Sequence, residues 1–431
     1  MRPRKHLEWL YGELPALVQA GVLPQDSADR LREHYGEIST GRQRSWLLTA
    51  LGVFGALLIG TGIIVILAHN WTQLSRPVRA LLSFVPLLTG QALCAWTLLR
   101  KRQSLAWREG STTFLTLAIG ASLALISQTY QISGSFSRLL LAWTLLALPL
   151  AYLFSSGVSA FLYLVGITVW TGYMQSREGL AWVFWPLFAA LIPCIIDVWR
   201  RSRYSSRGLW VFWGATVGLF VGWWPATGLH MDSRLTVSAF LGLLSALYLV
   251  GNRWLADAPR AWQNPPRLLG SLIITVTSFL LAENDIWQHM EHQAGGRHGS
   301  ALYAWVPLFL PTLAAVCLMV AERRTIDSIS VLMGVAPIVC LLAFFADERS
   351  AWFFNAYIVG IGLAWILRGA RQNSIGALNW GILVLGAWLA VRFRDSHLDF
   401  VTKGLFFIVL GVAFLLVNVL LARRWRRGGA S

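Results

Sequence analysis

From Trp46 to Ala422 the chain runs through apolar stretches of the length that crosses a bilayer, and that repetition constrains the fold more than any other feature. A helix needs about 20 mostly apolar residues to cover the hydrocarbon core. Fourteen runs meet that need: 46–68, 80–99, 111–130, 139–154, 158–176, 179–196, 208–228, 235–252, 268–282, 301–321, 328–346, 350–367, 374–391 and 404–422. Backbone groups in lipid must satisfy one another, so helices are predicted. The short alternating segments of a membrane barrel are missing. The expected fold is therefore all-α and polytopic, with about fourteen transmembrane helices over 46–422. A head over 1–45 precedes them and a basic tail over 423–431 follows.

The stretch Leu139–Ser176 is too long for one crossing, and Ser155-Ser156-Gly157 offers a turn that divides it in two. Charged residues make up 13% of the chain against 56% hydrophobic, whereas a soluble domain carries about a quarter charged. That balance excludes an ordinary soluble enzyme and a disordered chain.

Lys and Arg collect in cytoplasmic loops. With the N-terminus inside and fourteen spans, 26 of the 36 basic residues fall on the cytoplasmic side. Without the turn at 155–157, Arg200, Arg201 and Arg203 and the terminal arginines 423–427 would change sides. Both termini are therefore expected in the cytoplasm. The formal charge of +16 does not imply a nucleic-acid partner, because the head holds 7 basic and 6 acidic residues and is nearly neutral. The excess lies in short loops beside the membrane, where anionic headgroups account for it. No cleavable signal is read, since the first 45 residues are polar. Cys94, Cys194, Cys317 and Cys340 all fall inside spans and are expected as small buried apolar residues rather than disulfides.

In the head, Leu7, Leu10, Leu14, Leu17 and Val18 form one helical stripe, and Gly21 suits a helix C-terminal cap. A second helix starts after Pro24, with Ala28, Leu31 and Tyr35 on its apolar face, giving a helical hairpin. Two passages carry a resemblance. One is Leu10-Tyr11-Gly12-Glu13-Leu14, then Ala20-Gly21-Val22-Leu23, then Leu31-Arg32-Glu33-His34-Tyr35-Gly36. The other is Ser127-Gln128-Thr129-Tyr130-Gln131-Ile132-Ser133-Gly134 followed by Leu139 to Trp143. Over about 1–155 the chain resembles an uncharacterised bacterial family of predicted multi-pass membrane proteins with an N-terminal domain of unknown function. An acidic residue often follows the Gly in that family, and Ser135 stands there in this chain. The resemblance implies a bacterial inner-membrane protein and no known activity.

Candidate sites are few. His69 and Asn70 leave the first span on the side where Gln128, Tyr130 and Gln131 end the third, so they are candidates for an outward-facing polar pocket. The alternative is interfacial anchoring, with Trp71 and Tyr130 in the aromatic belt. The loop 283–300 gathers Glu283, Asp285, His289, Glu291, His292 and His298. Of these, His289, His292 and Glu291 are the candidate metal ligands, although the spacing lacks the His-Glu-x-x-His pattern of zinc hydrolases. Asp197 beside Arg200 and Arg201 predicts an interfacial ion pair. Gln91, Asn355, Asn379 and Asn418 are expected to hydrogen-bond neighbouring helices. Gly214, Gly218 and Gly222 recur every four residues, a stripe that lets another helix approach.

No P-loop, nucleophile elbow or dinucleotide fingerprint is present, so neither an enzyme nor a cofactor is expected. The first functional reading is a permease-like or lipid-handling bundle. The alternative is a membrane scaffold or sensor that binds a second multi-pass membrane protein through the N-terminal hairpin and the glycine stripe. Least favoured is a membrane-embedded enzyme using the outer Glu/His loop. The bilayer itself is the expected partner in every case.

Overall fold

The computed structural model describes residues 4–35, 73–132, 134–175, 180–227, 234–293, 302–322, 327–346, 349–372 and 374–395, with isolated positions at 401, 408, 411 and 412. The expected first span, nearly all of the last one and the basic tail lie outside the described residues, as do His69, Asn70, His298 and Asn418. The chain divides into two compact units, Met1–Arg79 and Ala80–Ser431.

The first unit holds α1 (Arg4–Gln19) and α2 (Gln25–Tyr35). Gly21 ends α1 at φ +70°. Its N–H donates to the Val18 carbonyl at 3.1 Å, and Val22 N–H reaches back to Leu17 at 3.0 Å. That pair of bonds is the Schellman closure, and the left-handed φ it requires favours glycine. Leu14 and Ala28 are buried apolar residues of these helices.

Beyond them every described element is helical, with no strand among the described residues. The order is α3 (Arg76–Arg100), α4 (Leu105–Tyr130), α5 (Phe136–Leu153), α6 (Gly157–Gln175), α7 (Phe184–Ala189), α8 (Ile192–Ser202), α9 (Ser206–Thr227) and α10 (Arg234–Trp254). Then come α11 (Pro265–Leu281), α12 (Asn284–Gln293), α13 (Leu302–Glu322), α14 (Ser328–Phe344), α15 (Ser350–Arg371) and α16 (Ile375–Asp395). Among the described residues, eight segments are long and apolar enough to cross a membrane, and shorter apolar helices accompany them. The protein is membrane-embedded and all-α. Leu81, Leu99, Leu153 and Trp352 stay largely exposed, as lipid-facing side chains do.

The two largest packed cores among the described residues organise the bundle. One surrounds α10, whose Leu241, Leu244, Tyr248 and Leu249 are buried against α11, α13 and α14. The other lies between α6 and α9 around Tyr163, Leu164, Ile167 and Val211. Buried hydroxyls tie helices together. Pro337 has no N–H, so the Met333 carbonyl one turn earlier loses its partner within α14. Ser245 of α10 donates to that carbonyl at 2.6 Å. The helix continues through the proline because a neighbour repairs it.

Three expectations change. The run 179–196 stays within one candidate span, Ala181–Ser202, but is not one uninterrupted helix: a 3₁₀ turn at Ala181–Val183, α7 and α8 make it up, with the chain kinked at 190–191. Pro193 sits in the first turn of α8, where its missing N–H does no harm. The carbonyls freed at the kink are taken by phenols: Tyr163 donates to Leu187 at 2.7 Å, and Tyr152 donates to Ala190. Second, residues 284–293 of the expected outer loop form a helix, α12. Trp287 pins it by burying its ring and donating its indole N–H to the Leu281 carbonyl at 2.7 Å. Third, Cys317 is exposed on α13, while Cys94, Cys194 and Cys340 are buried.

The stretch Leu139–Ser176 does divide in two. α5 ends at Leu153, Ser155 turns at φ +51°, and α6 starts at Gly157. A Cβ on Gly157 would stand 2.8 Å from the Arg207 Cα, so the glycine lets α6 start directly against α9.

Candidate functional site

The glycine stripe lies inside the bundle. Gly214 and Gly218 face Phe161, Leu164 and Thr168 of α6, and Gly222 faces the Phe184 ring. Gln128, Tyr130 and Gln131 are exposed at the end of α4, while Thr129 between them is buried. Gln131 adopts the left-handed conformation, φ 49°, and ends the helix. These three side chains stand at the end of α4, and His69 and Asn70, expected beside them, lie outside the described residues. The backbones of His289, Glu291 and His292 lie in α12, where a spacing of three puts the two histidines on one helical face. Their side chains lie outside the described set. Among the described residues no three His, Cys, Asp or Glu groups gather as a metal site.

Of the three described amides expected to bond neighbouring helices, Gln91, Asn355 and Asn379, Asn355 is engaged across helices. Its amide N–H donates to Ala351 at 2.8 Å and Ala282 at 3.3 Å. Its oxygen accepts from Trp388 at 2.8 Å and Arg392 at 2.7 Å. Gln91 and Asn379 are exposed. Asp197 pairs with Arg201 at 2.9 Å as expected. Its second partner is Arg207, at 3.0 Å, rather than Arg200.

Charges missed by sequence reasoning stand at the opposite end of the bundle from Asn355. Glu109 of α4 accepts from Ser156 Oγ at 2.6 Å, Gly157 N at 2.8 Å and Val158 N at 3.1 Å. It caps α6 from a different helix, where a negative charge meets the helix dipole and the unpaired N–H groups. Near it, α8 turns into α9 through Arg203, Tyr204 and Ser205. Ser205 Oγ donates to the Ser202 carbonyl at 2.7 Å and accepts from Gly208 N at 3.2 Å, capping α9. A Cβ on Gly208 would meet the Arg203 carbonyl oxygen at 2.3 Å, so glycine allows this tight entry.

The facing loop, 255–264, is fixed by one buried amide. Asn264 donates to the Gly251 and Leu255 carbonyls at 2.9 and 2.8 Å, closing α10. It accepts from Arg267 N at 3.2 Å, opening α11. That double cap holds Trp262 and Gln263 opposite Tyr204, and Trp213 secures the Trp262 carbonyl at 3.0 Å. Between the two loops lies a half-open cavity of about 110 Å³ lined by Arg203, Tyr204, Ser205, Ser206, Leu209, Trp262 and Gln263. One water needs only about 10–15 Å³ on such a measure.

Tyr204 Oη and Gln263 Oε1 are buried there without a hydrogen-bond partner among the described residues. The Arg203 guanidinium lies 5.2 Å from the Tyr204 ring centre, 3.5 Å from the Trp254 carbonyl and 3.8 Å from the Asp257 carboxylate. Burial pushes the Tyr204 phenol up, Arg203 pulls it part of the way back, and Asp257 adds a smaller upward push. The phenol therefore stays a proton donor at neutral pH. The signal available in sequence was the run Arg203-Tyr204-Ser205-Ser206 before an apolar stretch, which reads as a basic loop and gives no hint of Trp262.

No curated protein and no solved structure matches the chain. Residues 15–160 match the family model described as "Predicted membrane protein (DUF2157)". The matched region runs from α1 to the first turn of α6 and includes Glu109 and the Ser156-Gly157 turn that it caps. It stops short of the α8–α9 cavity. The chain is thus a membrane-embedded helical protein whose residues 15–160, about a third of its length, are similar to a family of predicted membrane proteins of unknown function.

Proposed function

We propose that this protein is a non-enzymatic, lipid-handling bundle of a bacterial inner membrane, with both termini in the cytoplasm. It works at the cytoplasmic headgroup layer. The observation that carries the reading is the amphipathic cavity between Arg203 and Trp262, at a bundle end that also holds Arg200, Arg201, Arg253 and Arg260. Arginines at that depth meet anionic headgroups. Half-exposed Trp254 and Trp262 beside them suit the interface.

A permease reading has less support. Asp197, Arg207, Arg368, Arg392 and Glu109 all sit near helix ends, and the hydroxyls of Thr116, Thr144, Thr171, Thr216 and Ser278 donate to carbonyls of their own helices. In the scaffold reading the glycine stripe is already filled from within, which leaves α1 and α2 as the docking element. The test is purification of the full chain in mild detergent, native mass spectrometry for retained lipid, and solute flux in proteoliposomes. Retained anionic lipid without flux is the expected result. Flux without retained lipid would overturn the reading.

A further inference from the structure

We propose that the cavity between the α8–α9 turn and the 261–263 turn binds a phosphate-bearing anion. The lipid-handling reading, on which this inference rests, makes a phospholipid headgroup its source. The cavity gathers hydrogen-bond donors. Arg203 supplies the charge. Its contacts to Trp254 and Asp257, at 3.5 and 3.8 Å, are long, and its side chain is 41% exposed. A phosphate within reach would replace them with the short paired bonds that a guanidinium makes to phosphate.

Tyr204 contributes a buried hydroxyl without a hydrogen-bond partner among the described residues. An unsatisfied buried polar group is costly and calls for an explanation, and a bound acceptor supplies one. Gln263 Oε1, an acceptor, is likewise without a partner among the described residues, and a half-turn about its last bond puts the amide NH2, a donor, in its place. Ser206 opens the first turn of α9, whose leading N–H groups face outward from the helix. The remaining walls are Leu209 and the 42% exposed Trp262. They suit the glycerol and upper acyl carbons of a lipid better than a fully hydrated ion.

The experiment uses the full-length protein in detergent, titrated with dioleoylphosphatidylglycerol, with dioleoylphosphatidylcholine and with inorganic phosphate alone. Thermal midpoint and native mass spectrometry are the readouts. Tyr204→Phe is the informative variant, because the hydroxyl it removes holds no partner among the described residues. Its unliganded midpoint should match the parent's, and its affinity for phosphatidylglycerol should fall about tenfold. Arg203→Gln should lose at least as much. Asp257→Asn removes the competing carboxylate of an 81% exposed side chain and should tighten binding a few-fold, a sign that a purely structural role would not give.

Protection by phosphatidylglycerol with this variant pattern supports the lipid as ligand. Protection by inorganic phosphate with the same pattern supports the site and reassigns its source. If the parent retains anionic lipid but Tyr204→Phe and Arg203→Gln bind it unchanged, the site is overturned while the lipid-handling reading stands. If the parent binds neither lipid nor phosphate, both are overturned.

Discussion

Glu109 closes the start of α6 with one carboxylate and three hydrogen bonds. Replacing it with alanine strands the two backbone N–H groups, while Ser156 keeps Ser159 Oγ at 3.2 Å as an acceptor, and should cost about 1–3 kcal/mol. Glu109→Gln keeps an acceptor but removes the charge from the helix dipole, so about 0.3–1 kcal/mol is expected. Thermal midpoints of the two variants in detergent should rank alanine well below glutamine, and equal midpoints would refute the cap. Asn264 calls for a parallel measurement. It is buried, caps two helices, and positions Trp262. Asn264→Leu should destabilise the protein by a similar amount and also weaken any ligand of the cavity. Neither residue stood out in the sequence. Glu109 reads as one charge in a basic loop, and its partners lie nearly fifty residues away. Asn264 lies between Gln263 and Pro265 like an ordinary turn residue. By contrast, Gly21 was legible, because a helix stop requires only local geometry.

Helices were the most legible elements, since each depends on an uninterrupted apolar run. The division of 139–176 into α5 and α6 was legible for the same reason: Ser-Ser-Gly is the single break in that run. The kink at 190–191 and the helix α12 were not. The first depends on tyrosines of other helices to satisfy its carbonyls. The second is polar and is held by Trp287 at one point. The glycine stripe yields a graded prediction. A methyl at Gly218 would meet Thr168 Oγ1 at 3.4 Å, an ordinary contact. At Gly222 it would meet the Phe184 ring at 2.6 Å, and that ring is fully buried. Gly218→Ala should therefore be near neutral, and Gly222→Ala should cost about 1–3 kcal/mol through overpacking. Comparable unfolding midpoints for the two would contradict the packing described for α9.

At the scale of the molecule, the distribution of arginine gives the most direct prediction. Reporter fusions after residues 104, 205, 260 and 372 should all report the cytoplasm, and fusions after 132 and 283 the opposite side. A reporter at 205 on the same side as one at 132 would break the alternation on which the topology rests. The position of the cavity was not legible at this scale, because two loops separated by some fifty residues had to be brought together. The two phenols at the kink carry a consequence for biogenesis. A segment whose carbonyls are bare is a poor tenant of lipid until something covers them. Tyr152 and Tyr163 belong to α5 and α6, which leave the ribosome before α7 and α8. Synthesis from the N-terminus thus delivers the donors ahead of the acceptors, and the kinked crossing never has to wait in the bilayer unsatisfied. A circular permutant or a split protein that makes α7 and α8 first would lose that order. Its yield in the membrane should fall sharply, even though the finished contacts would be the same.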